Sequence, residues 1–224
     1  MSNETDEQAA ARWAEISARG DEQEIAAFIA EMDARDAERE KRLTGPNILA
    51  STAEWYARQG IPVFPLAPGD KKPLLRNPHP AGSPERVTCR GECGKDGHGL
   101  HDATIDVEKV RAWWRASPQA NIGVPTGATS GFDVVDVDGP DGFASLAELR
   151  DAGAIPPVIG KAWTPRGRHL YIPATGDGNT TAVLPGIDYR GLGGYVAVPP
   201  SRRPEGRYDW LEPLDLDAAK AARR

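Results

Sequence analysis

Residues 132–138 read FDVVDVD, an apolar strand that runs into two acids one residue apart and stops at Gly139-Pro140. Side chains at i and i+2 of a strand share a face. Asp136 and Asp138 therefore point together, and Val135 and Val137 point the other way. A run this apolar belongs in a sheet, so the fold has to hold two carboxylates side by side at a strand end. Two close carboxylates repel, and without a counter-charge one is pushed toward its neutral form. A divalent cation removes the conflict. Mg²⁺ and Mn²⁺ take oxygen ligands, and two-metal phosphoryl-transfer sites hold ions about 3.5–4 Å apart between shared carboxylates. The alternative, from this segment alone, is a pair of solvated acids before a Gly-Pro turn.

The remaining apolar runs are short and heavily punctuated. With 24 Gly and 20 Pro the chain has many turns, which argues against an all-helical bundle. Residues 47–59 predict a helix, apolar at Ile48, Leu49, Thr52, Trp55 and Tyr56, with Gly60 as its C-terminal cap. IPVFPL (61–66) predicts a strand near a sheet edge, because of its prolines. Asp106 is placed to cap a helix through VEKVRAWWRAS, and Pro118 lies just beyond it. NIGVPTG, FDVVDVD, RHLYIP, GIDYR, GYVAVPP and RYDW predict strands, and residues 141–152 a helix with Phe143, Leu146 and Leu149 on one face. The order is not a regular βα repeat, so the expected class is α+β with a largely antiparallel sheet.

Residues 1–45 read as an acidic helical extension with one apolar stripe, Ile25, Phe28, Ile29 and Met32. That stripe fits a helix docked on the main domain or fraying from it, or a helix that binds a partner. A break falls at Thr44-Gly45-Pro46-Asn47, a main domain spans 46–212, and 213–224 reads as the start of a linker or helix. The net charge of −6 looks unfavourable for a nucleic-acid partner, but residues 1–40 hold 12 acids and 4 bases, and the remaining 21 acids face 23 bases. Global charge therefore excludes little. No stretch approaches the roughly 20 apolar residues of a membrane span. The N-terminus has no secretory pattern, and two cysteines are no disulfide framework. A cytoplasmic protein without a membrane partner is expected.

Two further segments carry chemistry. Asp188 lies in GIDYRGLGGYVAVPPS with Arg190 at i+2, so both share a strand face. Asp136, Asp138 and Asp188 would make a carboxylate metal site, with Arg190 steadying an acid or a phosphate. The alternative is a surface Asp–Arg pair. In TPRGRHLYIP, His169 and Tyr171 share one face, and Arg166 and Arg168 flank the bend before the strand. A histidine beside arginines suits a triphosphate, since the arginines offer forked donors and the imidazole one more. A structural histidine is the alternative.

CRGECGKDGHGLH gives Cys89, Cys93, His98 and His101 in a C-x₃-C-x₄-H-x₂-H spacing, with His79 as a substitute for His101. Thiolates and imidazoles are what tetrahedral Zn²⁺ takes, and four such ligands would close the site, so any zinc would be structural. The alternative is a metal-free loop with two reduced cysteines.

VVDVDG, TPRGRHLY and GIDYRGLGGYVAVPPS, in that order, resemble the bifunctional primase–polymerase (prim-pol) domain of the archaeo-eukaryotic primase superfamily. The likeness extends upstream through VFPLAPGDKKPL, HDATID, VRAWW and NIGVPTG, over about residues 47–212. It implies a small αβ module packed on a module like an RNA-recognition motif, with the site in the cleft between them. It also implies that Asp136, Asp138 and Asp188 hold Mg²⁺ or Mn²⁺ and that His169 contacts the phosphates of an incoming nucleotide, with Arg166, Arg168 and Arg190 as further phosphate contacts. The partners implied are single-stranded DNA template, dNTPs or NTPs, and a helicase. No Walker A motif occurs, so a helicase would lie beyond residue 224. Lys71 and Lys72 are read as solvated or as contacts to template or nucleotide, and Arg202, Arg203 and Arg207 as a template track. Of Trp113 and Trp114, at least one is expected in the core. Two competing functions use the same residues: a nucleotide- or origin-binding replication module without catalysis, and a metal-dependent nuclease.

Overall fold

A computed structural model describes Arg12, Glu15, Ile16, Arg19, residues 23–32 and residues 48–223. The break expected at 44–47 lies outside the described residues. The chain forms two compact units, Met1–Gly45 and Pro46–Arg224. In the first, residues 23–32 are helical. Ile16 and Phe28 are buried, with Ile25 and Met32 packed against them. Arg12 lies over the Phe28 ring and pairs with Glu31 at 2.7 Å. Ile29 leaves the predicted stripe and is 48% exposed. It follows Phe28 directly, and consecutive helix residues are about 100° apart.

The second unit is mixed α+β. Helix α1 (Ile48–Arg58) buries Leu49, Ala53, Tyr56 and Ala57. Trp55, expected inside, is exposed because the small Ala53 and Ala57 complete the buried stripe instead. Gly60 ends α1 at φ +79°, in the left-handed region that a C-cap needs. Strand β1 (Phe64–Leu66), the single-turn helix α2 (Glu85–Thr88) and a 3₁₀ turn (Gly99–Asp102) lead to α3 (Val107–Ala116). The Asp106 carboxylate caps α3, accepting the N–H groups of Glu108 and Lys109. Then come β2 (Asn121–Pro125), β3 (Phe132–Asp138), α4 (Gly139–Asp151), β4 (Gly160–Trp163), β5 (Gly167–Pro173), β6 (Thr180–Leu184), β7 (Ile187–Arg190) and β8 (Tyr195–Ala197). The short β9 (Arg202–Arg203) and β10 (Gly206–Arg207), β11 (Asp209–Glu212) and α5 (Leu216–Ala221) complete the described chain.

The strands form a three-stranded sheet, β1-β2-β8, a six-stranded sheet, β11-β4-β5-β3-β7-β6, and the β10-β9 pair. Every paired strand is antiparallel to its neighbours, as the sequence predicts. β1 is an edge strand. β8 leaves the sheet of β7 for that of β2, although only four residues separate them. The core joins both sheets to the helices: Phe132, Val134 and Tyr171 cluster with Ile122, Val124 and Val196 and with Tyr56, Val110 and Trp114. Both Trp113 and Trp114 are buried; their ring N–H groups donate to Asp96 and to the Ala120 carbonyl, so neither offers a stacking face to a template.

Helix α4 covers β3, β5 and β7, but not through its large apolar residues. Gly142 and Ser145 are buried, whereas Phe143 is 37% exposed. A Cβ on Gly142 would lie 2.5 Å from the Gly186 carbonyl oxygen, so the helix approaches more closely than a leucine face would permit. The expected linker after 213 contains α5, whose Ala219 is fully buried with its carbonyl against Gly131. Among the described residues no helix is long and apolar enough to cross a membrane.

Candidate active site

Strand β3 has a neighbour on each side, and its register decides what meets its acids. Asp136 lies opposite His169 of β5 and opposite Asp188 of β7. His169, Asp136 and Asp188 are thus one row across three adjacent strands, about 4.8 Å per step. Asp138 is two residues further on the same face, opposite Gly167. The two acids of FDVVDVD and the acid of GIDYR, 50 residues later, share one patch.

The contacts within the row are polar and close. His169 Nε2 is 3.3 Å from Asp136 Oδ1, and both side chains are buried. Arg190 Nη2 is 2.6 Å from Asp188 Oδ2 and 3.6 Å from Asp136 Oδ2, so one guanidinium spans two carboxylates. The other oxygen of Asp188 accepts the Ala182 N–H at 2.7 Å. Ala182 has φ +52°, the one described non-glycine residue in the left-handed region. That conformation costs on the order of 1 kcal/mol or more and here aims an N–H at an acid of the patch. Asp138 is less supported: Arg166 Nη2 is 3.9 Å away.

Burial pushes the Asp136 carboxyl up. The His169 hydrogen bond and the positive fields of His169, Lys71 and Arg190 outweigh it and leave the group below the usual carboxylate range. Asp136 is therefore an anion held under low exposure by three cationic or polar neighbours. Oxygen donors gathered in this way suit Mg²⁺ or Mn²⁺. Arg190, spanning Asp136 and Asp188, supplies counter-charge to both.

Two cavities open on the patch. One is lined by Asp136, His169, Arg190, Lys71, Asn179 and Tyr195. The Tyr195 hydroxyl donates to the Lys71 carbonyl at 3.0 Å and ties the loop after β1 to β8. The other, about 780 Å³, lies between Asp136, Asp138 and Arg166 and the 182–188 turn, and is large enough for a small-molecule ligand. A narrow cleft beside them adds Arg203 and Tyr208.

Not every expected residue is here. Arg168 takes the opposite face of β5 and lies over the rings of Trp163 at 4.3 Å and Phe143 at 5.6 Å. Alternation along β5 requires this, since His169 faces the acids. Lys72 is exposed, whereas Lys71 lines the cavity. The Cys–His group lies in a loop of its own, and its fourth member is His79 rather than His101. His101 is exposed on the 3₁₀ turn. Asn179, Tyr195 and Tyr208 line the site without having been singled out. Tyr195 stands within GLGGYVAVPP, where its motif was the available signal; an isolated Asn179 carries none.

A family model described as bifunctional DNA primase/polymerase, N-terminal, matches residues 53–222. No curated protein matches the chain.

Proposed function

This chain belongs to the bifunctional DNA primase/polymerase family, and from that premise we propose that it makes and extends primers on single-stranded DNA by nucleotidyl transfer at the Asp136–Asp138–Asp188 patch. The single observation that carries this reading is the register that puts His169 and Asp188 on either side of Asp136. Three acids gathered on one face from two separate strands are costly for a fold to hold together, and cation binding is what such a cluster serves.

The three carboxylates would hold Mg²⁺ or Mn²⁺, which would supply charge neutralisation and Lewis acidity there. The chain's own groups do the rest by positioning and charge. His169, fixed against Asp136, lines the cavity where phosphates would sit, with Lys71 and Arg190. Arg190, which spans Asp136 and Asp188, has the forked donors that a phosphate would take. Arg166 stands at the mouth beside Asp138, and Arg203 borders the narrow cleft toward a template. A cavity lined by Asp136 and His169 of one sheet and Tyr195, Val196 and Ala197 of the other supports the cleft between modules that the family likeness implies. A replication context in phage or plasmid and a helicase partner rest on that likeness alone.

The test is incubation of the full chain with unprimed single-stranded DNA, dNTPs or NTPs, and Mn²⁺ or Mg²⁺. New strands should appear, and Asp136→Asn should remove them. Strand scission in place of synthesis, or synthesis untouched by Asp136→Asn, would overturn the reading.

A further inference from the structure

We propose that His79, Cys89, Cys93 and His98 form a closed, structural zinc site that clasps the loop between β1 and α3. The four ligand atoms lie within 4.8 Å of one another, drawn from three separate stretches of the loop. Two of their spacings can be set against zinc geometry. With Zn–N near 2.0–2.1 Å and Zn–S near 2.3 Å, the edges of a tetrahedron are about 3.3 Å for N–N and about 3.6 Å for N–S. His98 Nε2 is 3.3 Å from His79 Nε2 and 3.5 Å from Cys93 Sγ.

The surroundings of His98 select the same role. Its other ring nitrogen, Nδ1, faces Asp102 Oδ1 at 3.4 Å, and both side chains are almost fully buried. Asp102 is itself fixed, since its Oδ2 accepts the N–H groups of Gly97 at 2.9 Å and His98 at 2.8 Å. A carboxylate facing Nδ1 offers a partner to a proton on that nitrogen and turns Nε2 toward the thiol and the second imidazole. This is how a metal-bound histidine is oriented. A ring-to-ring hydrogen bond would explain one of those neighbours and not both.

The loop also has no apolar core of its own to hold its shape. None of residues 76–96 is buried, and its one large aliphatic side chain, Val87, is 69% exposed. Loops of this length without a core of their own are uncommon in compact domains. Tight passages nonetheless exist within it: a Cβ on Gly97 would lie 2.2 Å from the Arg76 carbonyl oxygen. Metal binding supplies the missing stabilisation, as it does in small domains too poor in apolar burial. From the clasp, Asp96 reaches back to α3, accepting from Trp113 Nε1 at 3.1 Å and pairing with Lys109 at 2.7 Å.

Purified full-length protein should contain one zinc per chain by elemental analysis. After chelation, Co²⁺ should give the intense visible bands of a tetrahedral site and a thiolate-to-metal charge-transfer band. His101→Ala should keep both signals, while His79→Ala and Cys93→Ser should lose tight metal binding. The wild-type cobalt spectrum needs no variant to fold, and it is independent of primer synthesis. Protein that holds no zinc and gives no tetrahedral cobalt spectrum overturns the proposal, as does loss of metal from His101→Ala with retention in His79→Ala.

Discussion

Asp138 lies two residues from the anionic Asp136 on the same face, and Arg166, its salt-bridge partner, is 3.9 Å away with a side chain 63% exposed. That pairing is worth little, while the like-charge neighbour is destabilising. Replacement by the neutral isostere removes repulsion and no buried contact. Asp138→Asn should therefore leave the melting temperature unchanged or raise it, by up to about 1 kcal/mol of stability. It should also lower primer extension by more than about a hundredfold, the scale on which single charge-stabilising groups act. A thermal melt beside an extension assay checks both. A variant that loses stability together with activity would make the acid structural. The i, i+2 rule made the pairing of Asp136 with Asp138 visible, and the same rule, applied one residue before His169, already excludes Arg168 from their face. The fourth member of the Cys–His group was less accessible. Spacing points onward from His98 to His101, but the 3₁₀ turn spends its second half presenting Asp102 to His98, and the missing imidazole comes from ten residues before Cys89.

Strands β3, β5 and β7 bring the site together, and a small residue makes their approach possible. Gly167 is opposite Asp138, and a Cβ there would stand 1.9 Å from the Val137 carbonyl oxygen. The glycine two residues before His169 is thus required by closeness of backbone rather than by an unusual torsion. Gly167→Ala should push β5 from β3 and cost about 1–3 kcal/mol, as overpacking does, read as a lowered urea midpoint. Because His169 moves with β5, extension should fall as well. An unchanged midpoint would show that the strands can part at no cost. The apolar strands of this sheet were legible as runs between turn residues. β4 and β6 were not: β4 alternates in burial but through Gly160 and Ala162, too small to read as an apolar face, and β6 is exposed along nearly its whole length. β6 matters all the same, since it holds Ala182 against Asp188. The sheet change between β7 and β8 also has no local signal.

Charge divides the molecule where its compact units divide. Residues 1–45 hold 12 acids and 6 bases, so the 21 acids of residues 46–224 are matched by 21 bases. The whole net charge of −6 thus belongs to the first unit. This much was readable from composition, and it removes the apparent conflict between an acidic chain and a polyanionic template. The buried core of the second unit draws on residues from Leu49 to Ala219 and on none of the described residues before them. A chain comprising residues 46–224 should accordingly unfold cooperatively at nearly the melting temperature of the full chain. Freed of a tethered acidic segment, it should bind single-stranded DNA more tightly at low salt, because the repulsion acts over a Debye length of about 10 Å at 0.1 M. The advantage should shrink as salt rises, since screening removes the repulsion faster than it removes contacts at the site. Anisotropy titrations of both chains across a salt series would show two lines that converge. Parallel lines would mean that the acidic unit is not felt at the template. Loss of cooperative unfolding would mean that the second unit needs the first, and that the division of charge does not follow a division of stability.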